Sequence, residues 1–238
     1  MRNLQTLVIS MLRSPDRRAR ASEELEKTSL DWRFLDGVDG QLLVFPIPEY
    51  DAKKVEKLLG HPLTLGEIGV FLSHKAAWQS CVDQNKPTLI LEDDFILLPQ
   101  FEKTIDALLS YPSDWDMFRL QGLKSADHIL LQKLGDLSVV YNKSDALGLT
   151  ASLVHPRAAQ KLLNYSQKIY EPVDHFMEHR ARHGLQFLAV NPYPCEISQA
   201  PTTIDHPDRQ PIRGGQKIKR SVWRWLDRKF SQDPWFPR

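Results

Sequence analysis

The sequence predicts an α/β fold, a sheet of buried strands flanked by helices. Three observations carry that reading. Thr88-Leu89-Ile90-Leu91 is a short apolar run that ends in Glu92-Asp93-Asp94, the pattern of a strand buried on both faces in a parallel sheet, cut off by a change of polarity. The chain also opens with an alternation of strand, loop, helix and strand, as α/β units do. Finally, Pro and Gly punctuate the later periodic segments at helix starts and stops.

Taken in order, Thr6 to Met11 reads as the first strand. Ser14-Pro15 supplies an N-cap and a proline at the first helical position, opening a charged helix that reaches Lys27. Trp32 to Leu35 is the second strand, ended by Asp36-Gly37-Val38-Asp39-Gly40. Thr64-Leu65-Gly66-Glu67 fits a capping box, in which the Glu67 carboxylate reaches back to the Thr64 amide, at the head of a helix running to Gln84. After the acidic strand, Phe101 to Leu109 reads as a helix, Trp115 to Leu120 as a strand, Leu137 to Tyr141 and Thr150 to Val154 as further strands, and Pro156 to Leu163 as a helix. Pro172 opens a helix ended by Gly184, and Phe187 to Val190 is the last strand; Asp127 to Asp136 has no decisive pattern.

A buried strand of an open α/β sheet presents its carboxyl end to the crevice where ligands bind. Glu92, Asp93 and Asp94 are expected there. Neighbouring carboxylates repel and are costly to desolvate unless a positive charge joins them. A hard divalent cation with oxygen ligands, Mg²⁺ or Mn²⁺, that also carries substrate phosphates answers that need; a solvated acidic turn or helix cap is the plainer alternative. Arg13, Arg17 and Arg18 have two readings as well, a bidentate clamp on a diphosphate or a solvated helix face. No glycine-rich phosphate loop or dinucleotide fingerprint is present in this segment.

The 238 residues suit one domain or a domain with an appendage. The net charge of +1 gives no general case for nucleic acid, but it is unevenly spread. From Asp208 to Arg238 nine Lys/Arg stand against three Asp/Glu, a balance of +6 that leaves the first 207 residues at −5. The expected division is therefore a folded domain over 1–207 and a basic tail over 208–238. In the tail Ile218, Val222, Trp225, Leu226 and Phe230 recur at helical spacing among Lys217, Lys219, Arg220, Arg224, Arg228 and Lys229. Such a basic amphipathic helix suits an anionic membrane surface, or else docks its apolar side on the domain itself. Cys81 and Cys195 have no metal-ligand spacing and read as two reduced thiols. The first residues do not resemble a signal peptide and no apolar stretch approaches transmembrane length, so a cytoplasmic protein is expected.

Taken together the motifs resemble glycosyltransferase family 25, the lipooligosaccharide glycosyltransferases. The likeness covers most of 4–205 and is carried by Arg13-Ser14-Pro15-Asp16-Arg17-Arg18, Gly37-Val38-Asp39-Gly40, Gly66-Glu67-Ile68-Gly69 with Phe71-Leu72-Ser73-His74 and Trp78, Leu91-Glu92-Asp93-Asp94, Trp115-Asp116, Ala158-Ala159 and Pro172-Val173-Asp174. Ser10-Met11, Leu35-Asp36 and Val70 depart from the usual pattern. The resemblance implies a GT-A-like sheet and a divalent metal at Glu92, Asp93 and Asp94. It implies a UDP-sugar donor held near Ser10, Arg13, Arg17 and Arg18, with Glu67, Ser73 and His74 in a signature beside it. It further implies inverting transfer of a hexose, galactose before glucose, to a lipooligosaccharide acceptor, at the inner face of a bacterial inner membrane. An inverting transfer requires a base for the acceptor hydroxyl; Asp174 is the candidate, with Asp116 and Asp145 in reserve.

Two rival readings compete. His175-Phe176-Met177-Glu178-His179 is H-x-x-E-H, the inverted order of a zinc peptidase. The basic tail alone would suit a non-enzymatic peripheral membrane protein. A receiver domain is set aside because its acidic pair follows the first strand, and here the acids come far later.

Overall fold

The computed structural model describes residues 2–112 and 114–198. In chain order the elements are β1 (Gln5–Ser10), α1 (Pro15–Leu25), β2 (Arg33–Asp36), a 3-10 turn (Gly40–Leu42), α2 (Ala52–Leu59), α3 (Leu65–Gln84), β3 (Thr88–Glu92), β4 (Phe95–Leu97), α4 (Phe101–Leu109), β5 (Met117–Arg119), β6 (His128–Leu134), β7 (Leu137–Asn142), β8 (Ala151–Val154), α5 (Pro156–Tyr165), α6 (Val173–Glu178), α7 (Arg180–His183), β9 (Phe187–Asn191) and β10 (Cys195–Ile197). The basic tail over 208–238, and with it the expected terminal helix, lies outside the described residues.

Eight strands form one sheet in the order β2-β1-β3-β8-β5-β9-β7-β6, and β10 pairs with β4 in a separate ribbon. β1 runs parallel to both β2 and β3. β8 is antiparallel to β3 and to β5, so β5 runs in the same direction as β3. The sheet is therefore mixed, and β3 is parallel on one side only. The expectation of a buried strand holds, because β3 is covered on both faces whatever the direction of its neighbour.

Alternation along the strands divides the core. Leu7, Ile9 and Ile90 face one cluster with Ile68, Phe71 and Trp78 of α3, Ala158 and Leu162 of α5, and Phe176 of α6. Val8, Leu89 and Leu91 face the other, with Ala21 and Leu25 of α1 and Phe101, Ile105 and Leu108 of α4. Side chains that point alternately to opposite faces give a helix–sheet–helix sandwich.

The capping box forms as its spacing predicts: Glu67 N donates to Thr64 Oγ1 at 3.1 Å and Thr64 N donates to Glu67 Oε2 at 2.8 Å. Ser14 is the N-cap of α1, but its side chain makes no cap bond and Pro15 sets the start. Residues 128–134 form β6, a hairpin partner of β7 around Gly135 at φ +64°. Its local pattern is weak because the strand lies at the edge of the sheet and half of it is exposed. The single helix expected from Pro172 to Gly184 is broken at His179, whose ψ of 55° separates α6 from α7. Cys81 and Cys195 are free and buried. No helix among the described residues is long and apolar enough to cross a membrane.

Candidate active site

Three parallel strands end side by side, β1 at Ser10, β2 at Asp36 and β3 at Glu92, with Ser10 aligned to Asp36 and Ile9 to Glu92. The segments that leave them enclose a cavity of about 470 Å³, whose lining includes Ser10, Arg13, Arg17, Asp39, Ser73, Glu92, Asp93 and Asp94. Its apolar part comes from Ile9, Met11, Val38, Leu63, Leu65 and Val70.

The wall opposite the acids is built by glycine. A Cβ on Gly69 of α3 would stand 2.6 Å from the Val38 carbonyl, and one on Gly40 would overlap the Leu65 carbonyl. The 37–40 loop can therefore lie directly on the first turns of α3. Ser73 locks it there, accepting from Val38 N at 2.8 Å and donating to Gly69 O at 2.7 Å. Ser73 lines the cavity through this structural bond.

The three acids have three different environments. Glu92 meets the buried His74 ring, Nε2 to Oε1 at 2.9 Å, and its amide donates to Thr150 O at 2.8 Å. Asp93 accepts from Ser10 Oγ at 2.5 Å and from Arg17 Nε at 2.7 Å. Asp94 lies 3.3 Å from Arg17, while its Oδ1 is buried without a hydrogen-bond partner among the described residues. Burial, then the charge of Glu92, pushes the Asp94 carboxyl up to about 6, against the opposing pull of Arg17. The positive charge that reconciles the acids is, in part, Arg17 itself.

Arg18 is anchored under the floor: it donates to Ser10 O at 2.9 Å, pairs with Asp36 and lies over the Phe34 ring. Arg13 reaches across to Asp39 at 2.5 Å. Glu67 serves the α3 cap, and neither it nor Arg18 nor His74 lines the cavity. Asp174 does not line it either; its Oδ1 accepts from His175 N at 2.8 Å in the first turn of α6. Its charge acts on Arg119, at the carboxyl end of β5, which runs in the direction of β3. The reserve Asp116 precedes β5, at the opposite end of the strands from Glu92, where it accepts from Arg157 Nε at 2.8 Å and Gln186 N at 3.0 Å. That position removes it as a base for chemistry at Glu92. Asp145 is exposed.

The H-x-x-E-H reading is overturned. Glu178 pairs with the buried Arg119 at 2.7 Å and accepts from Leu147 N at 2.8 Å, and His179 turns to Glu171 at 3.0 Å. The helix ends at His179, whose ring is engaged by the buried Glu171. Among the described residues no three His, Cys, Asp or Glu side chains stand ready-made around one metal position. Sequence reasoning missed Asp39, Gln41 and Leu65 as cavity residues. The Gly-Val-Asp-Gly motif was the available signal, since a loop that needs two glycines is one held close against something.

Residues 3–177 match the family described as Glycosyltransferase family 25 (LPS biosynthesis protein). The chain belongs to glycosyltransferase family 25. Relatives in that family include the "Probable inactive glycosyltransferase 25 family member 3" of Rattus norvegicus, 30% identical over 191 residues, which are 73% of this chain and 32% of that protein. "Procollagen galactosyltransferase 1" of Danio rerio is 29% identical over 73% of this chain and 30% of its own length. "Procollagen galactosyltransferase 2" of Homo sapiens is 31% identical over 48% of this chain and 20% of its own. This family 25 chain thus aligns with about a third or less of each of these relatives, some named as galactosyltransferases and some as inactive. The stretch that matches the family contains every wall of the cavity.

Proposed function

We propose that this family 25 chain is a metal-dependent, inverting hexosyltransferase of the GT-A type, taking galactose, or next glucose, from a UDP-sugar to a lipooligosaccharide sugar. The observation that carries the reading is the meeting of Glu92, Asp94, Arg13 and Arg17 around one cavity at the carboxyl ends of parallel strands, where nucleotides bind in open α/β sheets. Galactose is preferred because relatives carry that activity in their names.

A divalent ion fits Glu92 and Asp94. Both line the cavity, and Asp94 Oδ1 is a buried acceptor with no partner among the described residues. Ions such as Mg²⁺ are commonly held by one or two carboxylates, with substrate phosphates completing the shell, so a finished protein cage is not required. Bound there, Mn²⁺ or Mg²⁺ supplies positive charge against the leaving diphosphate. The chain's own residues do the remainder. His74 fixes the Glu92 carboxylate, and Ser10 fixes Asp93. Arg13 and Arg17 present guanidinium groups to phosphate, and the apolar wall of Met11, Val38, Leu63 and Val70 covers the nucleoside. Asp174 takes the proton of the attacking acceptor hydroxyl.

A peripheral position at the inner face of a bacterial inner membrane completes the proposal. The basic composition of 208–238 supports it, as do the exposed apolar side chains of Leu42, Val44 and Phe45 on the segment beside cavity residue Gln41.

The test is UDP-sugar binding and hydrolysis with and without Mn²⁺. Metal-dependent binding should be present in the wild type and lost in Asp94→Asn. Asp174→Asn should bind donor normally and transfer no sugar. Binding that ignores both Mn²⁺ and Asp94→Asn sinks the assignment of the site, and near-normal transfer by Asp174→Asn removes it as the base.

A further inference from the structure

The group that stands between the acids and a divalent cation is Arg17. It grips Asp93 through two nitrogens, at 2.7 and 2.5 Å, and reaches Asp94 at 3.3 Å. A guanidinium and a divalent cation repel each other and draw on the same cluster of carboxylates, so the two compete for this turn. We infer that Arg17 is an exchangeable counter-ion, neutralising Asp93 and Asp94 in the free protein and passing to the donor's diphosphate when a divalent cation takes its place. The inference rests on the metal and nucleotide reading above and adds an order to it: cation and nucleotide favour each other's binding partly through Arg17.

The neighbouring arginines pair elsewhere, so among the three it is Arg17 that meets the acidic turn. Arg18 is held by a strand carbonyl, a carboxylate and an aromatic face. Arg13 is bound to Asp39 on the 37–40 loop. Arg17 both lines the cavity and contacts the acidic turn. Its backbone belongs to the first turn of α1, so its side chain can swing without moving a strand. Asp93 keeps a second donor, Ser10, when Arg17 leaves. Asp94 has its buried Oδ1 available to whatever replaces the guanidinium.

The experiment measures Mn²⁺ affinity of the full chain from the free-ion EPR signal, with and without UDP, in wild type, Arg17→Gln and Arg17→Lys. A resident competitor lowers the affinity for the ion alone, so Arg17→Gln should bind Mn²⁺ without UDP about tenfold more tightly than wild type, within the usual range of coupling between sites. UDP should then improve Mn²⁺ binding less in that variant than in wild type. Arg17→Lys keeps a charge without the fork and should fall between, which guards against a glutamine variant that does not fold. Equal or weaker Mn²⁺ binding by Arg17→Gln, in protein with a normal melting transition, overturns the exchange while leaving the metal site standing. Absence of Mn²⁺ binding in wild type even with UDP overturns the metal reading, and the exchange with it.

Discussion

His74 Nε2 lies 2.9 Å from Glu92 Oε1, joining the third turn of α3 to the end of β3. The ring is 1% exposed and packs beside Trp78, so it has little freedom to leave. With a carboxylate as acceptor, Nε2 carries the proton. Glu92 thereby has one oxygen fixed and stays on the cavity wall, and a buried histidine with no access to substrate acquires a role through the acid it holds.

Replacing this ring should therefore weaken the site more than the fold. In His74→Asn the affinity for Mn²⁺ in the presence of UDP should fall 10- to 100-fold, the range typical of groups that orient a ligand. Titration calorimetry checks it. Unchanged affinity in a folded variant would show that Glu92 needs no support from α3.

Asp94 has a pH signature. Its carboxyl sits at about 6 in the folded chain against an ordinary value of 3.8. Between those values the native state holds more protons than the unfolded one, so stability falls as pH rises through that window. Asp94→Asn removes the cost. Without metal it should be more stable than wild type at pH 7.5, by up to about 3 kcal/mol, and no more stable near pH 3.5. Urea denaturation at the two pH values decides the matter. A variant that is less stable at pH 7.5 contradicts the burial argument.

Gly69 sets the distance between α3 and the 37–40 loop. Gly69→Ala pushes a methyl against the Val38 carbonyl, which is backbone and cannot rotate away. A loss of about 1–3 kcal/mol is expected, as for other overpacked contacts, together with weakened UDP binding because the loop is a cavity wall. Thermal melts and nucleotide titration would show both; an alanine tolerated with full binding would mean that the loop shifts freely.

The Arg119–Glu178 pair is buried on both sides and also ties down Leu147 and Gly148 through Arg119 Nη1 and Glu178. Glu178→Gln leaves the guanidinium without its counter-charge and should cost about 3–5 kcal/mol. Purified wild-type protein should contain no stoichiometric zinc. Zinc at one equivalent, with a peptide-cleaving activity lost in Glu178→Gln, would revive the peptidase reading.

The α/β class, most elements and the position of the acids at a strand's carboxyl end were legible in the sequence alone. Such features are local: an apolar run, a proline at N1 and a Thr64–Glu67 box each act within a few residues. The half-exposed β6 escaped because an edge strand has little burial to write into its pattern. Tertiary structure alone decided which charges meet. Arg17 joins Asp93 across 76 residues, Glu178 turns to Arg119 instead of to a metal, and Asp116 falls at the wrong end of its strand. Strand order and direction, set by the packing of the whole sheet, bring those groups together or hold them apart, and no short stretch of sequence contains that information.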